Sequence, residues 1–174
     1  MSNSEYSQVI HPLPPLYDQN SRILILGSFP SIKTREAGFF YGHPQNRFWP
    51  MLSALLEIDP PLSATEPERT SRIVLARNIA MWDSIESCGI IGSSDSSIRN
   101  VVPNDFTKIF ATADIKHVFC NGSTAYRYYR QYRHRTDKIG VSRMPSTSPA
   151  NAAKSLEDLI REWSVILPLI NVNS

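Results

Sequence analysis

The sequence contains few of the residues from which disulfide frameworks and metal centres are built. Its 174 residues include two cysteines, Cys88 and Cys120, which cannot form a four-thiolate cluster. The four histidines are scattered along the chain, at His11, His43, His117 and His134. Their spacing does not match that of zinc ligands, so we expect no metal site in this protein.

Long apolar runs and a strong net charge are also missing. The uncharged stretch over residues 163–174 is too short to cross a bilayer, and the first residues, MSNSEYSQVIHPLPP, lack the pattern of a signal peptide. We therefore expect an intracellular, cytoplasmic protein with no membrane partner. Lys+Arg 18 against Asp+Glu 16 leave a formal charge of +2, which by itself disfavours a nucleic-acid partner.

Length and composition indicate a folded domain. A chain of 174 residues with 41% hydrophobic residues can bury a sizeable core, and this composition excludes disordered and fibrous proteins. We predict a single domain over residues 1–174. The first part, residues 1–20, is predicted to be an irregular lead-in because it contains several prolines.

The positive charge is concentrated in one segment. Residues 123–138 contain five basic residues and one acidic residue, a net charge of +4 that leaves −2 on the rest of the chain. The basic residues are Arg127, Arg130, Arg133, Arg135 and Lys138. Such asymmetry is typical of a nucleic-acid-binding surface, and a solvated helix face is the alternative.

Short apolar runs alternate with helical patterns along the chain. We predict strands over residues 22–27, 79–83, 117–122 and 139–144. Helices are predicted between them, and residues 89–103 are predicted to form a loop. This alternation indicates an α/β fold, a three-layer α/β/α domain with a mainly parallel sheet.

Two helices are predicted in more detail. The helix over 124–135 is expected to bury Ala125, Tyr128, Tyr129 and Tyr132, which share one helical face. The last helix is expected to begin at Pro149, with Ser148 as its N-cap.

Unusual loops follow all four predicted strands, after Gly27, Asp83, Gly122 and Met144. Because ligands of parallel sheets bind outside the carboxyl ends of the strands, these loops predict a single active site. A carboxylate at the end of a buried strand, as at Asp83, needs a partner or a cleft unless it caps a helix. Asn121 could offer its amide to a ligand or satisfy its own turn.

The loop after the first predicted strand is rich in aromatic side chains. Residues 39–49, FFYGHPQNRFW, contain five aromatics, which either pack inward or offer stacking faces to a planar ligand. We expect Phe48 and Trp49 to lie in the core. A functional role is expected for three other residues of the loop, Tyr41, His43 and Asn46, although Asn46 could instead cap the helix that follows.

Two further segments have the composition of ligand-contacting turns. GSFPS, residues 27–31, is a tight turn whose backbone N–H groups could point at a ligand, or it is only a turn. In PSTSPAN, residues 145–151, three hydroxyl side chains at a predicted helix start suit contact with phosphate. An ordinary capped helix start is the alternative, and it is compatible with phosphate contact.

Together these segments resemble the uracil-DNA glycosylase superfamily, and its hypoxanthine-DNA (deoxyinosine) glycosylase branch in particular. The resemblance rests on GSFPS, FYGHPQNRFW, WDSIESC, SSDSSIRN, PNDF, NGSTAY and PSTSPAN, which occur in this order between residues 22 and 151. The segment YGHPQNRFW is also similar to the HPxNRFW loop of the mismatch-specific uracil-DNA glycosylases.

The resemblance implies a fold and an activity. It implies a four-stranded parallel sheet flanked by helices, across whose strand ends DNA binds. A deaminated base, hypoxanthine and/or uracil, is flipped into a pocket, and its N-glycosidic bond is hydrolysed to leave an abasic site. It implies a monofunctional base excision repair enzyme without cofactors, and we expect a monomer.

The resemblance also implies roles for individual residues. Asn46 is predicted to be catalytic, acting on the water or on the base, Tyr41 to stack on the base and Asp83 to read its edge. The predicted base pocket consists of Gly27, Ser28, Phe29, Tyr41, His43, Asp83 and Asn121. Contacts with the DNA strand are predicted for Ser31, Ser146, Thr147 and Ser148.

One position departs from the superfamily pattern. Many members have Asp or Asn at the third position of the GSFPS segment to hold the attacking water, and here that residue is Phe29, whose phenyl ring cannot orient water. This departure motivates an alternative, a module that binds damaged or mismatched DNA without chemistry. A small-molecule hydrolase on the same scaffold is a third possibility, since fold does not determine chemistry.

Overall fold

The computed structural model describes residues 5–132 and 138–171. The strands are β1 (Ser7–Ile10), β2 (Ile23–Gly27), β3 (Ile79–Asp83), β4 (Ile85–Ile90), β5 (Arg99–Pro103), β6 (His117–Asn121) and β7 (Gly140–Met144). The helices are α1 (Ile32–Ala37), α2 (Phe48–Leu56), α3 (Pro67–Ala76), α4 (Thr107–Thr112), α5 (Ser123–Tyr132), α6 (Leu156–Trp163) and α7 (Leu167–Ile170). Short 3₁₀ turns occur at Asp95–Ser97 and Ser164–Ile166.

The four predicted strands form one sheet, in the order β3-β2-β6-β7, and every neighbouring pair is parallel. Every residue of β2 is buried, as expected for a central strand covered on both faces. Leu24 packs against residues of α4 and α5, whereas Ile25 packs against residues of α2 and α6. The predicted three-layer α/β/α architecture is therefore confirmed.

A second sheet corrects two predictions. β1, β4 and β5 form an antiparallel sheet in the order β1-β4-β5, so residues 89–103 are not a loop and residues 1–20 are not irregular throughout. The sequence of this sheet lacks a regular apolar alternation, because β1 and β5 are mostly exposed and the register shifts twice between β4 and β5. Pairing of backbone groups, rather than apolar alternation, therefore defines this sheet.

The last long helix begins later than predicted, which is a third correction. α6 starts at Leu156 with Ser155 as its N-cap, in a capping box with Asp158. The Ser148 hydroxyl instead accepts a hydrogen bond from Ala150 N within a turn. The chain stays non-helical there because the Arg47 guanidinium binds its carbonyl groups, at Ser148, Asn151 and Lys154.

Two other predictions concern exposure and charge. Tyr132, predicted to be buried, is 37% exposed, whereas the other three predicted residues on its helix face are buried. Of the basic segment, Arg133 and Arg135 lie outside the described residues. Within the described part of the chain, no helix has the length and apolarity needed to cross a membrane.

The buried sheet predicts where truncation will cost most. Ile25→Ala should lower the free energy of unfolding by about 2–5 kcal/mol, because Ile25 is fully buried in the central strand and truncation leaves a cavity. Val165→Ala, at a side chain that is 53% exposed, is the matched control, with an expected change under about 0.5 kcal/mol. Urea denaturation measures both, and equal losses would contradict the assignment of this core.

Candidate active site

A cavity of about 500 Å³ opens at the carboxyl ends of the parallel strands. Its volume lies within the range of pockets that bind small molecules. Eleven of the twelve predicted site residues line it: Gly27, Ser28, Phe29, Ser31, Tyr41, Asn46, Asp83, Asn121, Ser146, Thr147 and Ser148. These residues come from segments far apart in the sequence, and the strand ends bring them together.

His43 is the predicted residue that does not line this cavity. Its Nδ1 accepts a hydrogen bond from Gln45 N at 3.0 Å, so the ring supports the loop that follows Tyr41. The structure therefore gives His43 a place in the loop next to the site.

Three polar side chains on one wall form a continuous hydrogen-bonded chain. Asn121 Nδ2 donates to Thr147 Oγ1 at 2.9 Å, and Thr147 Oγ1 donates to Asn46 Oδ1 at 2.8 Å. Asn46 Oδ1 also accepts from Phe48 N at 2.9 Å. Since Phe48 N can only donate, the orientation of the Asn46 amide is determined.

This chain decides what Asn46 can offer to a ligand. Both lone pairs of Oδ1 are engaged, so the side chain presents its two Nδ2 hydrogens as donors. The hydrogen bond to Phe48 N also anchors the start of α2. The two interpretations of Asn46, as helix anchor and as site residue, are therefore both compatible with the structure.

Thr147 is fully buried and fixes two segments of the site. Besides the hydroxyl contacts, its N donates to Asn121 Oδ1 at 3.0 Å and its carbonyl accepts from Arg47 N at 3.1 Å. The predicted DNA contact of this hydroxyl would have to compete with Asn46 and Asn121. The observed contacts instead give Thr147 a positioning role.

The opposite wall contains a carboxylate paired with a histidine. Asp83, at the end of β3, is buried, and its Oδ2 lies 2.5 Å from Nε2 of His11. The other nitrogen of His11, Nδ1, accepts a hydrogen bond from Leu13 N, so the proton of the neutral ring is on Nε2. His11 therefore donates to Asp83 Oδ2 and leaves Oδ1 as an acceptor.

Gly27 makes room for this carboxylate. A Cβ at position 27 would lie 2.3 Å from Asp83 Oδ1 and 3.4 Å from the hydroxyl oxygen of Tyr41. The absent side chain thus lets the end of β2 approach both groups. This steric requirement agrees with the predicted place of Gly27 in the pocket.

Tyr41 is held in a fixed orientation. Its ring stacks on Phe48 with centroids 4.1 Å apart, and its backbone has φ 52, a left-handed conformation that is uncommon for a tyrosine. Burial and the nearby Asp83 charge raise the pKa of the Tyr41 hydroxyl well above its usual range, while Asn121 opposes this shift. The hydroxyl is therefore a neutral group beside Asp83.

The Phe29 ring belongs to a small core beneath the second sheet. It packs with Ile85, Cys88, Ile90 and Tyr128, and its edge contacts the His11 ring at a centroid distance of 6.0 Å. Phe29 thus forms an apolar part of the cavity wall, next to the His11–Asp83 pair.

Sequence reasoning missed two site residues. His11 lies in the segment predicted to be irregular, and no local pattern linked it to Asp83, 72 positions away. Asp95 lies in SSDSSIRN, which contributed to the resemblance without a role for any of its residues. It lines the cavity, and Ser28 Oγ lies 3.2 Å from both of its carboxylate oxygens, to which the hydroxyl donates.

Asp95 is exposed to solvent and lines the cavity. Burial raises the pKa of the Asp95 carboxyl, and hydrogen bonds from Ser28 and Thr124 partly offset this increase. The charge of Asp83 adds to the upward shift. The cavity thus contains two carboxylates in different surroundings.

The serines predicted to contact DNA differ in whether their O–H group already donates a hydrogen bond within the protein. Ser31 Oγ caps α1 by accepting from Thr34 N, and it donates to Thr34 Oγ1. Ser146 and Ser148 each accept from a backbone N–H two residues later. In the hydrogen bonds of the described residues neither of these two serines donates, so each keeps its O–H for a ligand.

The described residues contain no group of three or more His, Cys, Asp or Glu side chains arranged to hold a metal ion. The donors of the cavity are instead amides and hydroxyls, and its acceptors are two carboxylates. This set is suited to binding a planar, polar heterocycle and to stabilising negative charge on it.

Comparisons with known proteins give one consistent relationship. The family model described as the uracil DNA glycosylase superfamily matches residues 14–166. The hypoxanthine DNA glycosylase of Methanosarcina acetivorans is 30% identical over 154 residues, which cover 88% of this chain and 94% of that protein. The hypoxanthine DNA glycosylase of Methanosarcina barkeri is 30% identical over 116 residues, which cover 66% of this chain and 72% of that protein.

A solved structure is similar as well. The NMR structure of a candidate uracil DNA glycosylase from Methanosarcina acetivorans superposes with a TM-score of 0.76 at 26% identity. The match covers 93% of this chain and 99% of that one. The similarity therefore extends over nearly the whole fold described above.

The hydrogen-bonded wall predicts a cost for removing one hydroxyl. Thr147→Val keeps the shape of the side chain but leaves Asn121 Nδ2 without its acceptor, and should lower the free energy of unfolding by about 1–3 kcal/mol. Thr112→Val, at an exposed residue of α4, should change it by less than about 0.5 kcal/mol. Urea denaturation measures the free energy of unfolding of the two variants. An unchanged value for Thr147→Val would contradict the hydrogen bonds that join Asn121, Thr147 and Asn46.

Proposed function

We propose that this protein removes deaminated bases, hypoxanthine and/or uracil, from DNA. This proposal starts from its family, because the chain belongs to the uracil DNA glycosylase superfamily and is a DNA glycosylase, a hydrolase of N-glycosyl bonds. The observation that supports this base class most directly is the Asp83 carboxylate, which lines the cavity and has His11 bound to one of its oxygens, Oδ2. We further propose that it acts as a cytoplasmic monomer on the genome.

Asp83 Oδ1 suits a base that presents an N–H donor on its ring edge. Hypoxanthine and uracil both have a ring N–H beside a carbonyl group, because deamination converts an amidine edge into a lactam. Adenine and cytosine have a ring nitrogen lone pair at the equivalent position, which a carboxylate oxygen repels. A site built for one hydrogen-bonding pattern strongly rejects the other, so Asp83 would exclude the undamaged bases.

The flipped base would lie against Tyr41. One face of that ring is covered by Phe48, and Tyr41 lines the cavity, so its position is set before a ligand binds. Stacking on an aromatic side chain favours any planar base and supplies part of the free energy needed for flipping. Tyr41 therefore supplies affinity, and Asp83 supplies selectivity.

Asn46 would act on the departing base. As the bond from C1′ to the base nitrogen breaks, its electron pair stays on the base, which becomes an anion. The Nδ2 hydrogens of Asn46 are donors, and Thr147 and Phe48 N hold the amide in one orientation. Such a prearranged donor stabilises charge that develops in the transition state, so Asn46 is the catalytic group for the leaving base.

The lesion strand would contact the turn after β7. Ser146 and Ser148 keep O–H groups that can donate to phosphate oxygens, and Arg47 holds the backbone of this turn through three carbonyl groups. Ser31 and Thr147 instead use their hydroxyl groups in hydrogen bonds within the protein, to Thr34 and to Asn46 and Asn121, respectively. The predicted DNA contact is thus narrowed to Ser146 and Ser148.

The base class is tested with duplex oligonucleotides that contain one deoxyinosine, deoxyuridine, deoxyadenosine, deoxycytidine or 1-methyldeoxyinosine. We expect abasic sites from deoxyinosine and/or deoxyuridine and none from the undamaged bases. For 1-methyldeoxyinosine the rate should fall at least about 10²-fold, because the methyl group replaces the N–H that Asp83 would bind. Alkaline cleavage measures the abasic product.

The same reactions run with a chelator serve as a control, and we expect full activity because the proposed chemistry needs no metal. Release of adenine at a rate similar to that of hypoxanthine would contradict the proposed role of Asp83. So would equal rates for the methylated and unmethylated hypoxanthine substrates.

The role of Asn46 is tested with two variants. Asn46→Ala should lower the single-turnover rate by about 10²-fold or more, the scale expected for one well-placed donor. Asn46→Asp keeps an acceptor for Phe48 N and Thr147 but loses the donors, so a comparable loss is expected. Asn20→Ala, at an exposed residue, is the control. Unchanged turnover in Asn46→Asp, with the fold verified by circular dichroism, would exclude donation by Asn46.

A further inference from the structure

Hydrolysis requires a group that the proposed role of Asn46 does not supply. The oxygen of a water molecule forms a bond to C1′ while the bond to the base nitrogen breaks, and the electron pair of that bond leaves with the base. The attacking water must then lose one proton to an acceptor in the site. We propose that Asp95 orients this water and accepts its proton.

Among the described side chains that line this cavity, the carboxylates are the most basic groups and therefore the best acceptors for the proton of the water. Asn46 Oδ1 already accepts two hydrogen bonds, and the Phe29 ring has no acceptor. Among the described lining residues the carboxylates are Asp83 and Asp95. Asp83 is buried against His11, where the base edge is proposed to bind, whereas Asp95 is exposed at the mouth, where the sugar must remain attached to the strand.

The position of Asp95 is built by contacts with the end of β2 and with α1. Ser28, the residue after β2, donates its hydroxyl hydrogen between the two carboxylate oxygens. Ser93 Oγ accepts from Ile32 N at 2.9 Å, which ties the segment before Asp95 to the start of α1. A carboxylate has about four lone-pair sites, so these contacts leave acceptors for a water molecule.

The electrostatic surroundings make Asp95 a stronger base than an isolated carboxylate. Burial and the Asp83 charge raise the pKa of the Asp95 carboxyl, and the Ser28 and Thr124 hydroxyls lower it. The Asp95 charge in turn contributes to a raised pKa of the Cys88 thiol on β4, and the Arg35 guanidinium on α1 acts on that thiol in the opposite direction. A higher pKa brings a carboxylate closer to the operating pH and makes it a better proton acceptor.

The step is balanced without a cofactor. The water oxygen becomes the C1′ hydroxyl of the abasic sugar, and its proton moves to an Asp95 carboxylate oxygen. The base leaves as an anion and is protonated afterwards, by the Asp95 carboxyl or by solvent. Asp95 ends the cycle ionised, ready for the next water.

The test measures single-turnover base release against pH with the best substrate found for the wild-type protein. The wild-type rate should fall on the acid side, because protonated Asp95 cannot accept a proton. Asp95→Asn should lower the plateau rate by about 10²-fold or more, with duplex binding retained. Ser28→Ala removes a hydrogen bond that lowers the Asp95 pKa, so its acid limb should move to higher pH.

Asp114→Asn, at an exposed carboxylate, is the matched control and should behave as wild type. The proposal is overturned if Asp95→Asn stays within about threefold of the wild-type rate, or if the Ser28→Ala profile superposes on that of the wild type. Wild-type protein that releases no deaminated base would instead refute the proposed function, so the two failures are distinguishable.

Discussion

The geometry of the site depends on one fully buried hydroxyl. Thr147 Oγ1 accepts from Asn121 at the end of β6 and donates to Asn46 at the start of α2, while its backbone binds Asn121 and Arg47. These contacts join the turn after β7 to two other segments of the fold. The Asn46 amide has one orientation because of them, and only in that orientation do its hydrogens remain available as donors.

The two carboxylates of the cavity have different surroundings, which is why we propose different roles for them. Asp83 accepts a hydrogen bond from His11 Nε2 and lies beside Gly27, so its carboxylate is a hydrogen-bond acceptor in a fixed position at the buried end of the cavity. Asp95 is bound by hydroxyls at the open end, and its pKa is raised. Pairs of titratable groups in unlike environments are the usual basis for assigning separate functions to them.

The parallel sheet and most of the cavity were predictable from sequence, because buried parallel strands read as continuous apolar runs and their ends mark the site. β1 and β5 were not predictable in this way, since their side chains are largely exposed and their pairing is a property of the backbone. The start of α6 was misplaced because Arg47, about a hundred positions away, keeps residues 148–154 non-helical. The His11–Asp83 pair likewise joins residues that no local pattern connects.

Phe29 and Asp95 depend on the same structural feature. A phenyl ring after β2 requires an apolar space, and Ile85, Cys88, Ile90 and Tyr128 provide it beneath the second sheet. The segment that connects β4 to β5 in this sheet also places Asp95 against Ser28, one residue before Phe29. In this site, which lacks a polar side chain at position 29, the connection between β4 and β5 places the Asp95 carboxylate instead. From sequence alone, Phe29 indicates a pocket residue and the loss of a polar group, whereas in the fold its burial and the approach of Asp95 have one cause, the second sheet.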